Sequence, residues 1–263
     1  MVRGPTGEGI LEVLRRRETV LAALVGEHRG KRALVDALPV SRSTVDRAVR
    51  ELETHDLVER VDGEYRATLT GELLLSARRE YVERVAGTGR VGDLLAHLPT
   101  NVDLPVNAVA SADVYRPEGP EPHRPGEFLR GLVRRAVRHR GLLVEQATPN
   151  APDLIRDRVC SGDLDVEYLI SPAMREYLWT ERPALVREMV HEGGTTFHET
   201  AGLPFDYGLL TTAETTYFIV VVHDDHGSLQ GVVCNDAPAA VGWGRTTYDR
   251  HRADARQVDP PGE

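Results

Sequence analysis

Ser41-Arg42-Ser43-Thr44 and Arg47 are the residues whose types and spacing point most directly to chemistry. Hydroxyls alternate with a guanidinium, and a second guanidinium follows about one helical turn after Ser43. At the start of a helix such a set suits a phosphorylated polymer. Hydroxyls and free backbone N–H groups meet phosphate oxygens where the helix dipole favours negative charge. An arginine one turn further on can take the N7 and O6 acceptors of guanine in the major groove. Ser41 is a good N-cap, because its hydroxyl accepts from an otherwise free backbone N–H. Val45, Ala48, Val49 and Leu52 then recur at steps of three and four and form a stripe to be buried. Arg42, Ser43, Asp46, Arg47 and Arg50 occupy the opposite face.

The elements that must position this helix are legible on both sides of it. Lys31 to Leu38 has Leu34, Val35 and Leu38 at helical spacing, and Pro39 stops that helix, since proline cannot donate and biases Leu38 away from helical geometry. Val40 plugs the turn. Downstream, Leu57-Val58-Glu59-Arg60-Val61 and Glu64-Tyr65-Arg66-Ala67-Thr68 flank Asp62-Gly63. Asp-Gly between two strand-like runs is a strong hairpin signal, because both central positions need positive φ. A helix pair followed by a two-stranded ribbon reads as a winged helix, a DNA-binding architecture. Lys31, Arg32, Ser41, Arg42, Ser43, Thr44, Arg47 and Arg50 form the expected DNA-facing set, with Arg60 and Arg66 on the wing. From the helices alone the alternative is an ordinary helical hairpin with a solvated polar face, and the ribbon argues against it.

The 263 residues suit one large domain or two ordinary ones. The first residues, MVRGPTGEG, lack the apolar run of a signal peptide, and the longest apolar run, Tyr217 to Val222, is far short of the roughly 20 residues a bilayer span needs. A cytoplasmic protein without membrane contact is expected. Cys160 and Cys234 form neither a metal-ligand spacing nor a disulfide scaffold, and no cofactor is expected. The net charge of −9 looks unfavourable for a DNA-binding protein until it is divided. Residues 1–99 hold 16 Lys+Arg against 16 Asp+Glu; the remainder holds 16 against 25. The acidic excess thus lies outside the DNA-facing part. Lys31 is the only lysine. Arginine used almost to the exclusion of lysine, beside many acidic residues, is the coding pattern of a GC-rich halophile. At high salt, counterion release contributes little to DNA affinity.

Three segments are expected: residues 1–98 as the winged helix with a dimerisation helix, 99–126 as a Pro-rich connector, and 127–257 as an α/β domain. Glu8 to Gly26 is helical, with the run Arg15-Arg16-Arg17-Glu18 able to break it in two. Thr70 can cap a helix reaching about Ala86, whose many apolar residues suit a homodimer contact; an internal interface is the competing use. Within the connector, Ala108 to Tyr115 holds one short strand. Phe128 to Val137 forms an amphipathic helix ending near Gly141, and Leu142 to Gln146 a buried strand. A helix from Pro152, the strand Leu164 to Ile170, helices on either side of Pro183, and short strands from Thr195 to Cys234 follow. A helix over Ala237 to Arg256 closes the chain, and Val258 to Glu263 frays. Strands alternating with helices, then a run of hairpins, give a mixed sheet.

The first half resembles the winged helix-turn-helix transcriptional regulators of archaea and bacteria, through Ser41-Arg42-Ser43-Thr44-Val45, Arg50-Glu51-Leu52-Glu53, Leu57-Val58-Glu59-Arg60, and Tyr65, Thr68 and Gly71. The second half resembles the sensor domain of an archaeal methanogenesis- or filament-regulator family. The matching residues are Gly162-Asp163-Leu164-Asp165-Val166-Glu167-Tyr168, Leu203-Pro204-Phe205-Asp206-Tyr207-Gly208, Leu229-Gln230-Gly231-Val232-Val233, Asn235-Asp236 and Trp243. The fold class implied is α+β: an N-terminal winged helix-turn-helix, then an α/β sensor domain with a mixed sheet, distantly phospholipase D-like. The His-x-Lys motif of phospholipase D cannot exist in this half, because the one lysine is Lys31. The resemblance therefore implies a catalytically silent sensor.

Other candidates in the second half read as structure. His223-Asp224-Asp225-His226 suits a hairpin turn better than a metal, since successive residues there point in different directions, and no metal is expected. His198-Glu199 is a rim pair, a general base or, most simply, a hydrogen-bonded strand end. The strand ends at Thr148-Pro149 and Ser171-Pro172 precede helices, and ligands of open α/β sheets bind beyond such ends. Thr148, Asn150, Ser171, Asp206 and Tyr207 are the expected rim of a small-molecule effector site. The function expected is a dimeric transcriptional regulator that reads double-stranded promoter DNA under effector control. The alternatives are a phosphodiesterase-like hydrolase with a regulatory winged helix, and a winged helix used for protein contacts.

Overall fold

The computed structural model describes residues 7–100, 102–144, 151–224 and 226–262. The chain divides into two compact units, Met1–Glu83 and Arg84–Glu263.

In the first unit α1 (Gly7–Ala22), α2 (Lys31–Ala37) and α3 (Arg42–Thr54) precede the strands β1 (Val58–Val61) and β2 (Glu64–Ala67). α4 (Leu69–Arg90) follows, and the boundary between the units falls within it. The strands pair antiparallel in the register Val58↔Ala67 to Val61↔Glu64, and both turn residues have positive φ, Asp62 at 52° and Gly63 at 89°. The Asp-Gly signal was thus correct in position and turn chemistry. α1 is one helix rather than two. Its polar run is a paired outer face: Arg16 and Arg17 bond Glu51, and Arg78 and Arg79 bond Glu18. Thr68 caps α4, not Thr70. The Thr68 hydroxyl accepts from Gly71 N at 3.0 Å while donating to Asp56 O at 2.7 Å. Gly71 is required there by close approach, since a Cβ on it would sit 2.1 Å from the carbonyl oxygen of Leu57.

The second unit is built on one eight-stranded sheet. After α5 (Gly92–Leu95), α6 (Val106–Val109) and β3 (Asp113–Tyr115) come α7 (Arg124–Arg135), β4 (Ala136–Leu143), α8 (Ala151–Cys160) and β5 (Asp165–Ile170). Then follow α9 (Pro172–Glu181), α10 (Pro183–His191), β6 (Thr196–Glu199), β7 (Tyr207–Thr212), β8 (Thr216–His223), β9 (Leu229–Asn235), α11 (Pro238–Ala253) and β10 (Arg256–Gln257). The strand order is β10-β6-β5-β4-β7-β8-β9-β3. β4, β5 and β6 run parallel and the other pairs antiparallel, the mixed sheet expected. One face packs a core around Phe205, Tyr207, Phe218 and Tyr248; the other packs a core around Tyr168, Val186, Met189 and Phe197.

Three expectations are corrected. The helix expected to end near Gly141 ends at Arg135, and β4 begins at Ala136. Arg158 Nη1 takes the carbonyls of Val133 and Ala136 at 2.6 and 2.7 Å, closing α7, and β4 is paired on both edges by β5 and β7. The segment 99–126, expected as a connector, lies in the second unit and supplies α6 and β3, the latter an edge strand on β9, where flanking prolines are tolerated. The C-terminal residues expected to fray are docked. β10 pairs with β6, Val258 N donates to Phe197 O at 3.0 Å, and Trp179 Nε1 donates to Asp259 O at 3.1 Å.

Candidate nucleic-acid interface and domain cavity

α3 is built as its residues require. Ser41 is the N-cap, in extended backbone, and its Oγ accepts from Thr44 N at 3.2 Å. The hydroxyls of Ser43 and Thr44 lie 2.9 Å from the same Oγ, so three hydroxyls cluster at the positive end of the helix. Val45, Ala48, Val49 and Leu52 are fully buried in the core of the unit. On the opposite face Arg42, Ser43, Arg47 and Arg50 are exposed, and those three arginines make no salt bridge among the described residues.

The remaining expected contacts are more engaged. Lys31 Nζ bonds Asp46 Oδ1 at 2.7 Å and ties α2 to α3. That hydrogen bond holds the Asp46 carboxyl below its ordinary range, with the Arg42 and Arg50 charges adding to it. Lys31 Nζ and the Arg60 guanidinium both lie over the Tyr65 ring, 5.7 and 5.8 Å from its centroid, so Tyr65 brings together the start of α2 and the wing. Arg66 faces Glu59 across the hairpin at 2.7 Å, and Arg32 is exposed. The exposed Arg66–Glu59 pair contributes about 0–1 kcal/mol and holds Arg66 only weakly, whereas Lys31 and Asp46 are half-buried.

In the second unit Ser171 and Asp206 meet on one residue. Asp206 Oδ1 accepts from Val144 N at 2.5 Å, and Ser171 Oγ donates to Val144 O at 3.2 Å while capping α9 through Met174 N at 3.0 Å. Tyr207 is turned to the other core, where its hydroxyl donates to Gly244 O at 2.9 Å. Thr148 and Asn150 lie outside the described residues.

Between this sheet face and α7, α8, α9 and α10 lies a cavity of about 130 Å³, lined mostly by aliphatic and aromatic side chains. Its polar lining includes His139 on β4, Tyr168 on β5 and Asp206. The Tyr168 hydroxyl and His139 Nδ1 are 2.9 Å apart, and both residues are buried. Burial alone pushes the imidazole down to about 4, so it is neutral at neutral pH. Gly208 makes room for the ring, since a Cβ there would lie 2.9 Å from His139 Nε2. Sequence reasoning missed this pair, because Arg138-His139-Arg140 has the look of a solvated run.

The other candidates are structural in their contacts. His198 Nε2 lies 3.2 Å from Glu167 Oε1, which also accepts from Arg252 Nε at 2.7 Å. Burial, then the Arg252 charge, hold His198 below its ordinary value. Asp224 organises the β8–β9 turn, its Oδ1 accepting from His226 N and Ser228 N, both at 2.9 Å; Asp225 lies outside the described residues. No helix among the described residues is long and apolar enough to cross a membrane.

A winged helix joined to an α/β domain with a mixed sheet is thus the class of protein the fold defines. Residues 122–254 match the family described as the methanogenesis regulatory protein FilR1, middle domain, and the chain belongs to that family of archaeal transcriptional regulators. Residues 9–90 match the HVO_A0261 N-terminal domain. No curated relative matches the chain. Among solved structures, TrmBL2, described as an archaeal chromatin protein with a novel mode of DNA binding, is 16% identical with a TM-score of 0.42. The match covers 95% of this chain and 99% of that one. Nuc, a phospholipase D family member from Salmonella typhimurium, is 12% identical with a TM-score of 0.43, over 56% of this chain and 97% of its own.

Proposed function

We propose that this regulator binds double-stranded promoter DNA through its winged helix, as a cytoplasmic homodimer, under the control of an effector sensed by the second unit. The observation that carries the reading is the polarity of α3. Its buried stripe fixes the helix, and three exposed arginines without salt bridges share the opposite face with the hydroxyl cluster at its positive end. Arg42, Ser43 and Thr44 meet phosphates and the first base edges, Arg47 reads a base, and Arg50, Lys31, Arg32, Arg60 and Arg66 hold the backbone, with Ser41 fixing the start of the helix. Arg66 exchanges a weakly held carboxylate for phosphate, while Lys31 keeps Asp46 and lends its charge to the backbone contact.

Support for a dimer comes from α4, which exposes Leu69, Leu73, Tyr81 and Val82. Isologous dimers are the commonest oligomers, and their symmetry matches palindromic operators. Effector control requires the ligand to bind the DNA-competent and DNA-incompetent states with different affinity. Ser171 and Asp206, with Thr148 and Asn150, are the candidate rim of that site, and Tyr207 supports it from the other face of the sheet. The second unit is proposed to sense rather than to catalyse, since the chain lacks a lysine outside α2 for phospholipase-type chemistry.

Hydrogen exchange of the full chain with and without its promoter duplex tests the interface. Protection is expected over residues 41–50 and the wing. A protected surface that leaves Arg42 to Arg50 unchanged would favour a winged helix used for protein contacts.

A further inference from the structure

We infer that the cavity beneath α7, α8 and α10 is a binding site for a small, neutral, largely apolar molecule bearing one hydroxyl, such as a phenol or a six-carbon alcohol, with His139 as its polar anchor. Size sets the first limit. At about 130 Å³ the cavity approaches that of an engineered pocket of roughly 150 Å³, lined by Leu, Ile and Phe in another protein, which takes up benzene. An occupant of about six to eight heavy atoms is therefore the scale. Chemistry sets the second limit. Leu129, Ile155, Leu185, Phe197 and Leu210 line the space and offer no hydrogen bond.

The polar anchor is the observation that separates this cavity from a packing fault. His139 is buried, and its one hydrogen bond among the described residues is from Nδ1 to the Tyr168 hydroxyl. Nε2 takes no hydrogen bond among the described residues, and, unlike the fully buried Nδ1 of His198, it keeps some accessible surface, beside Gly208 at the cavity wall. A polar nitrogen that opens onto an otherwise apolar cavity favours an occupant able to hydrogen-bond with it. Where the Tyr168 hydroxyl donates to Nδ1, Nε2 carries the proton and donates; in the other tautomer Nε2 accepts. A hydroxyl serves either state. The neutral imidazole gives an anionic ligand no counter-charge, and the Asp206 carboxylate on the same wall disfavours one further.

This ligand class refines the effector control proposed above and rests on that reading only for its consequence at the promoter. Occupancy is measured without DNA, so failure of one is distinguishable from failure of the other. The test is a fluorine NMR titration of the full chain with para-fluorophenol, fluorobenzene, para-fluorobenzylamine and para-fluorobenzoate. Saturable binding of para-fluorophenol is expected, with fluorobenzene weaker and para-fluorobenzoate weaker still; para-fluorobenzylamine tests whether Asp206 makes the site cationic instead. His139→Phe should weaken para-fluorophenol about tenfold and leave fluorobenzene nearly unchanged, the loss of one hydrogen bond. Ile155→Phe, on the half-buried face of α8, and Leu210→Phe, on β7, should each fill the space and abolish binding of both neutral probes. A cooperative thermal transition qualifies each variant, and either filling variant alone suffices. Absence of saturable binding by the neutral probes, indifference to a folded filling variant, or preference for a charged probe would overturn the assignment.

Discussion

The Tyr168 hydroxyl sits 2.9 Å from Nδ1 of His139, in the interior of the second unit and at the wall of its apolar cavity. The contact joins the parallel neighbours β4 and β5 and holds a neutral imidazole in the interior of the unit. It has a consequence for stability in acid. Above the ordinary value of 6.5 the ring is neutral whether the chain is folded or not, and its titration adds no pH dependence. As pH falls from 6.5 to about 4 the unfolded chain takes up a proton that the folded chain refuses. Stability is therefore lost through that window, by about 3 kcal/mol in all, and the loss from this group stops below the folded value. Urea unfolding at neutral pH and at the acid end of the window should show a steeper loss in the wild type than in His139→Phe. Equal losses would remove His139 from the account.

Replacing Ser41 with Ala removes the acceptor for Thr44 N and the centre of the hydroxyl cluster. A lost N-cap typically costs about 1 kcal/mol. The thermal midpoint should fall while the circular dichroism of the native state is kept. An unchanged midpoint would mean that Ser43 or Thr44 takes over the cap.

Gly71→Ala is expected to be worse than its size suggests. The added methyl meets the carbonyl oxygen of Leu57, which already accepts from Thr68 N, so relief requires moving backbone. Overpacking of this kind costs about 1–3 kcal/mol, and denaturant titration should show at least that loss. A neutral substitution would imply that the first turn of α4 can move freely.

If α4 carries the dimer contact, Leu73→Glu combined with Tyr81→Glu should give a monomer by light scattering with its helical content retained. A dimer that survives both charges would place the contact elsewhere.

Much of this was legible in the sequence because short-range chemistry decides it. The buried stripe of α3, the Ser41 cap and the Asp62-Gly63 turn depend on residues within a few positions of each other, and each was found where the residues put it. The parts that were misread are those fixed by distant partners. β4 begins at Ala136 because β5 and β7 pair with it and Arg158 closes α7, and none of these is near it in the chain. β3 and β10 are edge strands recruited by β9 and β6 from stretches that look like linkers. Ser171 and Asp206, chosen separately for their positions, do meet, on Val144, whereas Tyr207 follows the alternation of β7 to the other side of the sheet. His139 was invisible between two arginines, because only the sheet determines that it points inward.

Base reading by Arg47 has its own signature. Arg47→Ala should cost about 1–3 kcal/mol on the promoter and relax discrimination at one base pair. Equal weakening on every sequence would assign it to phosphate.

The central claim is that α3 reads promoter DNA, and an anisotropy titration tests it most directly. The full chain is titrated against its own promoter and a scrambled duplex, at low and at molar salt, beside the Arg42→Ala/Arg47→Ala variant. The account predicts tight, promoter-selective binding that persists in high salt and is lost in the variant. Weak binding that is indifferent to sequence, vanishes with salt and is unchanged in the variant would contradict it.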